Sequence, residues 1–176
     1  MGKIVVSEFL SLDGVVEAPE KWSGKYWNDE IARFKDEELR SSDAHLLGRA
    51  TYHIFAGAWP TRTGEFADRF NALPKYIVST TLKDPMWKGS HVIRIDEVTT
   101  LRSKHAGNIW VAGSATLVHT LFQLGLVDEL RLLVYPVLLG AGKRLFADEG
   151  KRADLNLTEA KDVGSGVVLL RYSKAP

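Results

Sequence analysis

The sequence predicts an α/β sandwich: a mostly parallel sheet covered by helices and finished by an antiparallel C-terminal edge. Three observations carry that expectation. Short apolar, β-rich runs alternate along the chain with stretches of helical spacing. The stretch Asn108 to Phe146 reads as strand, small-residue turn, helix and strand, a βαβ unit whose parallel strands need a crossover of about this length. The chain then closes on two strand-like runs around Gly164-Ser165-Gly166, the pattern of a hairpin.

Taken in order, Lys3 to Leu10 is the first strand, apolar enough for burial on both faces near the sheet centre. Ser11-Leu12-Asp13-Gly14 is a turn, Val15-Val16 a short extension, and Ala18 to Lys25 a loop carrying Trp22. Asn28 caps a helix from Asp29 to Arg40, with acids in its first turn and a face of Ile31, Phe34 and Glu38 that is only partly apolar. Ala44 to Leu47 is a strand, and Gly48-Arg49-Ala50-Thr51 opens a helix carrying Tyr52, Ile54 and Phe55, stopped by Gly57 and Pro60. Gly64 to Leu73 is a shorter helix with Phe66, Phe70 and Leu73 inward. Lys75 to Ser79 and His91 to Ile95 are strands, and Asp96 to His105 a charged helix. In the βαβ unit, Ile109 to Ala112 is a strand, Leu117, Val118, Leu121 and Phe122 share helical spacing, and Gly125 ends that helix before the strand Leu130 to Val137. Lys143 to Ala147 reads as a brief helical turn, and Leu155 to Asp162 pairs with Val167 to Tyr172.

At 176 residues the chain forms one domain, 1–176, long enough to bury a core. A net charge of +1 offers no electrostatic footprint for nucleic acid or an anionic membrane. With no cysteine, disulfides, thiolate nucleophiles and cysteine-ligated zinc are excluded. The five histidines show no metal-ligand spacing, so no metal site is expected. The N-terminal residues lack the pattern of a signal peptide, and no apolar run approaches the roughly 20 residues of a membrane helix, so a cytoplasmic protein is expected.

Ligands of open α/β sheets bind beyond the carboxyl ends of the strands. Three strand exits here carry suitable residues: Gly48-Arg49-Ala50-Thr51, Ser79-Thr80-Thr81 and Gly113-Ser114-Ala115. The first joins a cation and a hydroxyl to a helix N-terminus, where the dipole favours an anion, and Arg pairs bidentately with phosphate. The second offers hydroxyls, and the third small residues that let a phosphate approach backbone N–H groups. Together they point to a dinucleotide. Neither G-x-x-x-x-G-K-S/T nor G-x-G-x-x-G occurs, so the site is neither a Walker loop nor a Rossmann fingerprint.

These residues resemble a known superfamily. Ser11-Leu12-Asp13-Gly14, Leu47-Gly48-Arg49-Ala50-Thr51-Tyr52, Val127-Asp128-Glu129-Leu130, Pro136-Val137-Leu138-Leu139-Gly140 and Gly142-Lys143-Arg144-Leu145-Phe146 are similar to motifs of the dihydrofolate reductase superfamily, specifically the reductase domain of bacterial riboflavin biosynthesis and its stand-alone relatives. The resemblance spans essentially the whole chain. It implies a dihydrofolate reductase-like three-layer sandwich and NADPH as hydride donor. Gly48, Arg49 and Thr51 would hold the phosphates, Ser79 and Thr80 would lie near the adenosine ribose and its 2′-phosphate, and Gly113, Ser114, Ala115, Thr116 and Leu117 would wrap the pyrophosphate. Thr116 stands where dihydrofolate reductases often place a second Arg, a departure that weakens strict selection of NADPH over NADH, since a 2′-phosphate wants cations, and leaves Arg49 as the main candidate for that preference.

The same resemblance implies a small heterocyclic substrate of pterin or pyrimidine type, a pocket of Val6, Leu12, Phe34, Phe55 and Trp110, and two candidate acids. Glu30 occupies the acid's position on the first long helix, and Asp13 lies in the turn that borders the substrate site in riboflavin-type reductases. Either would need a pKa raised by burial to donate a proton. Trp59 and Trp110 read as core or pocket wall, and Lys143-Arg144 as a cationic pair able to attract an anionic group. A homodimer is expected by resemblance, with the apolar Leu130 to Leu139 strand as its contact. The competing reading is a nucleotide-binding module or sensor that keeps the fold without turnover. The Pro-Cys-x-x-Cys of the zinc deaminase that accompanies some riboflavin reductase domains is absent, so reduction alone is expected.

Overall fold

The computed structural model describes residues 1–146, 150 and 152–175. Its strands are β1 (Ile4–Ser11), β2 (Ser42–Gly48), β3 (Lys75–Val78), β4 (Ser90–Ile93), β5 (Asn108–Val111), β6 (Glu129–Tyr135), β7 (Leu155–Asp162) and β8 (Val168–Lys174). They form one sheet in the order β4-β3-β2-β5-β1-β6-β8-β7. Strands β1 to β6 run parallel, whereas β8 pairs antiparallel with both β6 and β7. β5 and β6 flank β1, so the βαβ unit read from the sequence crosses over β1 through helix α5 (Ala115–Gln123).

Alternation along the strands assigns the two faces. Ile4, Val6, Ala44, Leu46, Ile109, Val111, Leu130 and Leu132 join Leu117, Val118 and Leu121 of α5 in one cluster, together with Val98 and Leu101 of helix α4 (Val98–Ser103). The opposite residues of the same strands, such as Leu47, Trp110, Leu133 and Tyr135, meet α1 (Asp29–Arg40), α2 (Arg49–Ala58) and α3 (Glu65–Ala72). Two helical layers around one sheet make the three-layer sandwich.

Helix α1 has the predicted limits, because its start is a chemical signal: the Asn28 side chain accepts from Ile31 N–H at 3.0 Å. Where the sequence reading slipped, longer-range pairing decided. Gly57 lies inside α2, which ends one residue later. The charged helix expected over 96–105 divides into a 3-10 turn, Ile95–Glu97, and the short α4. Arg144, expected in a helical turn, instead bridges Val15, and Val16 N–H donates to Lys143 C=O at 2.9 Å. Ala147, the end of that expected turn, lies outside the described residues. At the edge of the sheet away from the strand exits, Asp128 accepts from Ile4 N–H at 2.8 Å and from Arg102 through both carboxylate oxygens, at 2.9 and 2.8 Å. That ion pair, with one Arg102 nitrogen shared between both oxygens, ties β1, α4 and the entry to β6 together. β6, offered by the sequence as a dimer contact, is hydrogen-bonded on both sides and has no free edge.

Candidate functional site

Because β1 to β6 are parallel, their carboxyl ends share one sheet edge, and β3, β2 and β5 are neighbours there. The three exits singled out by sequence therefore meet. Gly48 N–H donates to Gly113 C=O at 3.4 Å, and a Cβ added to Gly48 would run into the Ser114 side chain and come within 3.2 Å of its backbone nitrogen. Gly113 has φ +86°, a left-handed conformation open to glycine, and a Cβ there would lie 2.9 Å from Thr51 Oγ1. Gly48, Thr51, Gly113 and Ser114 are thus interlocked by close approach. Arg49 reaches from the first turn of α2 to Thr81 Oγ1 at 3.0 Å, joining the β2 exit to the β3 exit. Ser79 Oγ organises that second loop by accepting from Thr81 and Leu82 N–H at 3.2 and 3.0 Å, with Thr80 exposed beside it.

The two helices that start here differ. No side chain caps α2, whose N-cap is Gly48, whereas Ser114 caps α5 by accepting from Leu117 N–H at 3.4 Å. Leu117 buries its side chain in the core, so of the expected pyrophosphate residues it has neither side chain nor N–H to spare. Ala115 and Thr116 instead line a small pocket of about 410 Å³ with His119, Lys143 and Arg144. The cationic pair thereby comes to the start of α5.

A larger cavity, about 820 Å³, opens on the face covered by α1, α2 and α3. Phe9, Trp27, Phe55, Trp59, Phe66 and Trp110 form much of its wall. Of the five residues expected around the nicotinamide, only Phe55 and Trp110 line it. Val6 is fully buried in the other layer, Phe34 packs under the α1 side, and Leu12 is 64% exposed. Behind Trp110 the fully buried His45 stacks at 4.6 Å, and burial pushes its pKa down to about 3, so it is a neutral aromatic wall element.

Neither candidate acid lines this cavity. Glu30 is on the outer surface of α1, paired with Arg33 at 2.5 Å and Lys161 at 3.0 Å, whose hydrogen bonds and charges lower its pKa. Asp13 fastens the β1 exit to the loop after β6: it accepts from Ser11 Oγ at 2.6 Å, Gly140 N–H at 2.8 Å and Leu139 N–H at 3.2 Å, and Arg144 donates to its backbone carbonyl. Those donors, the Ser11 hydroxyl foremost, hold its carboxyl down at about 2. Both carboxyls are ionised at neutral pH and occupied by protein donors.

Of the four carboxyls on the cavity wall, Glu8, Glu20, Asp36 and Glu65, the one carried by the sheet is Glu8, on β1. It sits where the cavity meets the interlocked turn: its Oε1 lies 3.8 Å from a Cβ built on Gly113. That oxygen is closed off from solvent and has no hydrogen-bond partner. Burial pushes the pKa of Glu8 up to about 8, against the lowering effects of Lys35 and the Gly113 N–H, with Glu38 adding to the rise. Beside it runs a buried ionic chain. Lys35 Nζ donates to Glu38 at 2.5 Å and to Ser7 Oγ at 3.2 Å, and Arg131 binds Glu38 at 3.4 Å and Glu129 at 2.6 Å. The charged residues that make the α1 face only partly apolar are therefore a paired network, as buried charges require. The apolar pattern of β1 predicts burial on both faces and gives Glu8 no site role; an acid inside such a strand is the signal that could have found it.

The layers, strand order and carboxyl-edge site define a dihydrofolate reductase-like α/β protein. The family model of the RibD C-terminal domain matches residues 2–169, and the chain belongs to that family. It is 28% identical over 179 residues to YyaP, an uncharacterized protein of Bacillus subtilis, covering 97% of this chain and 94% of that one. Among solved structures it is similar to a protein of Shewanella sp. PV-4 assigned to riboflavin biosynthesis, with a TM-score of 0.79 at 17% identity and 99% of each chain covered. It also resembles the dihydrofolate reductase of Enterococcus faecalis in complex with NADP(H), with a TM-score of 0.67 at 16% identity over 99% of this chain and 98% of the other. At these identities the two structures speak for the fold.

Proposed function

We propose that this protein is an NADPH-dependent reductase that delivers hydride to a C=N or C=O bond of a pterin, pyrimidine or related heterocycle. The observation that carries the reading is the meeting of the β2, β3 and β5 exits at one sheet edge beside an aromatic cavity of about 820 Å³. Membership of the RibD C-terminal family and the likeness to an NADP(H)-bound dihydrofolate reductase support it.

The residues fit such a cofactor. The first turn of α2 begins at a glycine with no side-chain cap, so its N–H groups suit phosphate oxygens, and Thr51 and Ser114 add hydroxyls. Arg49, exposed and already bridging toward Ser79, Thr80 and Thr81, would hold the 2′-phosphate. When bound, such a cofactor would supply the hydride from its nicotinamide ring. The chain fixes the ring's position, excludes water with its aromatic wall and provides a proton.

Titrating the protein into NADPH and following nicotinamide fluorescence tests the reading. Arg49→Ala should weaken NADPH by about tenfold or more, the loss of one charge-assisted contact, and weaken NADH much less. Absence of binding, or indifference to Arg49→Ala, would sink it. Binding without oxidation across pterin and pyrimidine acceptors would favour the nucleotide-binding module instead.

A further inference from the structure

The cavity beside α1, α2 and α3 says more about its occupant than the reductase reading does. We propose that it takes a flat, uncharged heteroaromatic molecule bearing no phosphate, and that Glu8 touches the reducible C=N or C=O bond and hands it the proton. The inference rests on the reductase reading and adds the substrate's charge and the acid.

Charge is the first argument. The wall carries four acids, Glu8, Glu20, Asp36 and Glu65, and three cations, Lys35, Arg40 and Arg62. Two of the cations are already engaged. Arg40 binds Asp36 and Glu65, each at 2.6 Å, and Lys35 binds Glu38 at 2.5 Å. The Arg62 guanidinium lies over the Trp59 ring, 4.5 Å from its centroid. A phosphate monoester brings close to two negative charges and three strong acceptors, and calls for a cluster of donors. This wall has no such cluster among the described residues: Arg40 and Lys35 face Asp36, Glu65 and Glu38, which leaves Arg62 as a single cation. Its area is mainly aromatic and aliphatic, which suits a flat ring.

Unsatisfied polar atoms are the second argument. Glu8 Oε1 and Trp110 Nε1 are both buried without a partner, and both residues line the cavity. Such atoms are a small minority in native structures; His45, Ser90 and Tyr135 hold others, and Glu8 Oε1 and Trp110 Nε1 are the two whose residues line the cavity. Indole N–H donates only, while a protonated carboxyl both donates and accepts. A neutral ring edge with a carbonyl or imine nitrogen beside an N–H satisfies that set.

The groups that face Glu8 agree with its role. From α1 come Lys35 and Glu38, from the β5 exit the Gly113 N–H, and from α2 the Thr51 hydroxyl beside Gly113. From β6, Arg131 approaches no nearer than Glu38, to which it is bound. With its pKa raised to about 8, Glu8 carries a proton at neutral pH. In reduction of a C=N bond, carbon gains a hydride and nitrogen a proton. The electron pair comes with the hydride that NADPH supplies, the Glu8 O–H bond breaks as the N–H bond forms, and solvent reprotonates the carboxylate.

Dihydroneopterin and dihydroneopterin phosphate, uncharged and phosphorylated versions of one C=N heterocycle, provide the probes. With NADP⁺ bound, quenching of tryptophan fluorescence should report binding of the uncharged compound at least tenfold tighter than the phosphate. Equal or tighter binding of the phosphate, or no binding of the uncharged compound while NADPH binds, overturns the substrate class. Failure of NADPH itself to bind overturns the reductase reading instead. Glu8→Gln should leave both binding constants within about twofold and slow single-turnover NADPH oxidation about 100-fold, the usual lower range for a lost general acid. The wild-type rate should fall as pH rises through about 8. Infrared difference spectra across the same range should show one protonated carboxyl titrating in the wild type and none in Glu8→Gln. An unchanged rate and pH profile in the variant, or no such carboxyl in the wild type, removes Glu8 from the role.

Discussion

Asp13 and Glu8 belong to one strand and its exit turn, five residues apart, yet their carboxyls are driven in opposite directions. Asp13 is met by a hydroxyl and two backbone N–H groups, and the charged form is favoured down to about pH 2. Glu8 has an oxygen that nothing in the protein meets, and loss of water favours the neutral form up to about pH 8. The difference lies in water removed from Glu8 and donors supplied to Asp13, since both are ordinary carboxylates in sequence. A carboxyl that is fully hydrogen-bonded fastens structure; one that is desolvated and unmet is ready to exchange a proton.

The largest way to break that contrast is Gly113→Ala. The left-handed φ of +86° costs an alanine about 1–2 kcal/mol, and its Cβ would press on Thr51 Oγ1 from 2.9 Å. A fall in Tm of roughly 2–8 °C follows for a domain of this size. Because the Gly113 N–H also lowers the pKa of Glu8, the displaced turn should let that pKa rise further. Calorimetry and infrared titration check the two effects; an unchanged Tm would mean that the turn is not interlocked.

Next in size are the two limbs of the pH–stability profile. Asp13 has a folded pKa below its usual 3.8, so its contribution is present above that value and lost as pH falls toward about 2. Glu8 has a folded pKa above its usual 4.5, so its contribution is present below that value and lost as pH rises through about 8. Denaturant midpoints measured against pH should show Asp13→Asn flattening the acid limb and leaving the alkaline one alone. The converse result would reverse the assignment of the two carboxyls.

The smallest effect belongs to Glu30→Gln. Glu30 forms surface ion pairs with Arg33 and Lys161, interactions typically worth about 0–1 kcal/mol. NADPH oxidation should be unchanged within about twofold. A large loss of turnover would return Glu30 to the site and overturn the view that the cavity decides which acid acts.

Much of this molecule is written in local chemistry. Asn28 before two acids fixed the start of α1, the β-branched runs marked the strands, and Gly48, Arg49, Thr51, Ser79, Gly113 and Ser114 were identifiable as residues of strand exits. That they share one edge of the sheet was also foreseeable, since parallel strands of a βαβ fold end on one edge. What local pattern does not encode is which exits are neighbours, which side chains end up without partners, and which turns are overridden by a distant strand. Arg144 bridges Val15 across a long stretch of chain, so its local helical reading failed. Glu8 looked like one polar residue in a buried strand, and Glu30 like the acid at the right place on a helix. The tertiary structure sets Glu30 in surface ion pairs and Glu8 on the cavity wall with opposite pKa shifts, because a pKa depends on donors and water brought or removed by chain segments remote in sequence. The sequence by itself determined the fold and the sheet edge at which the strand exits lie; folding decided which carboxyl on the cavity wall keeps a buried oxygen without a partner.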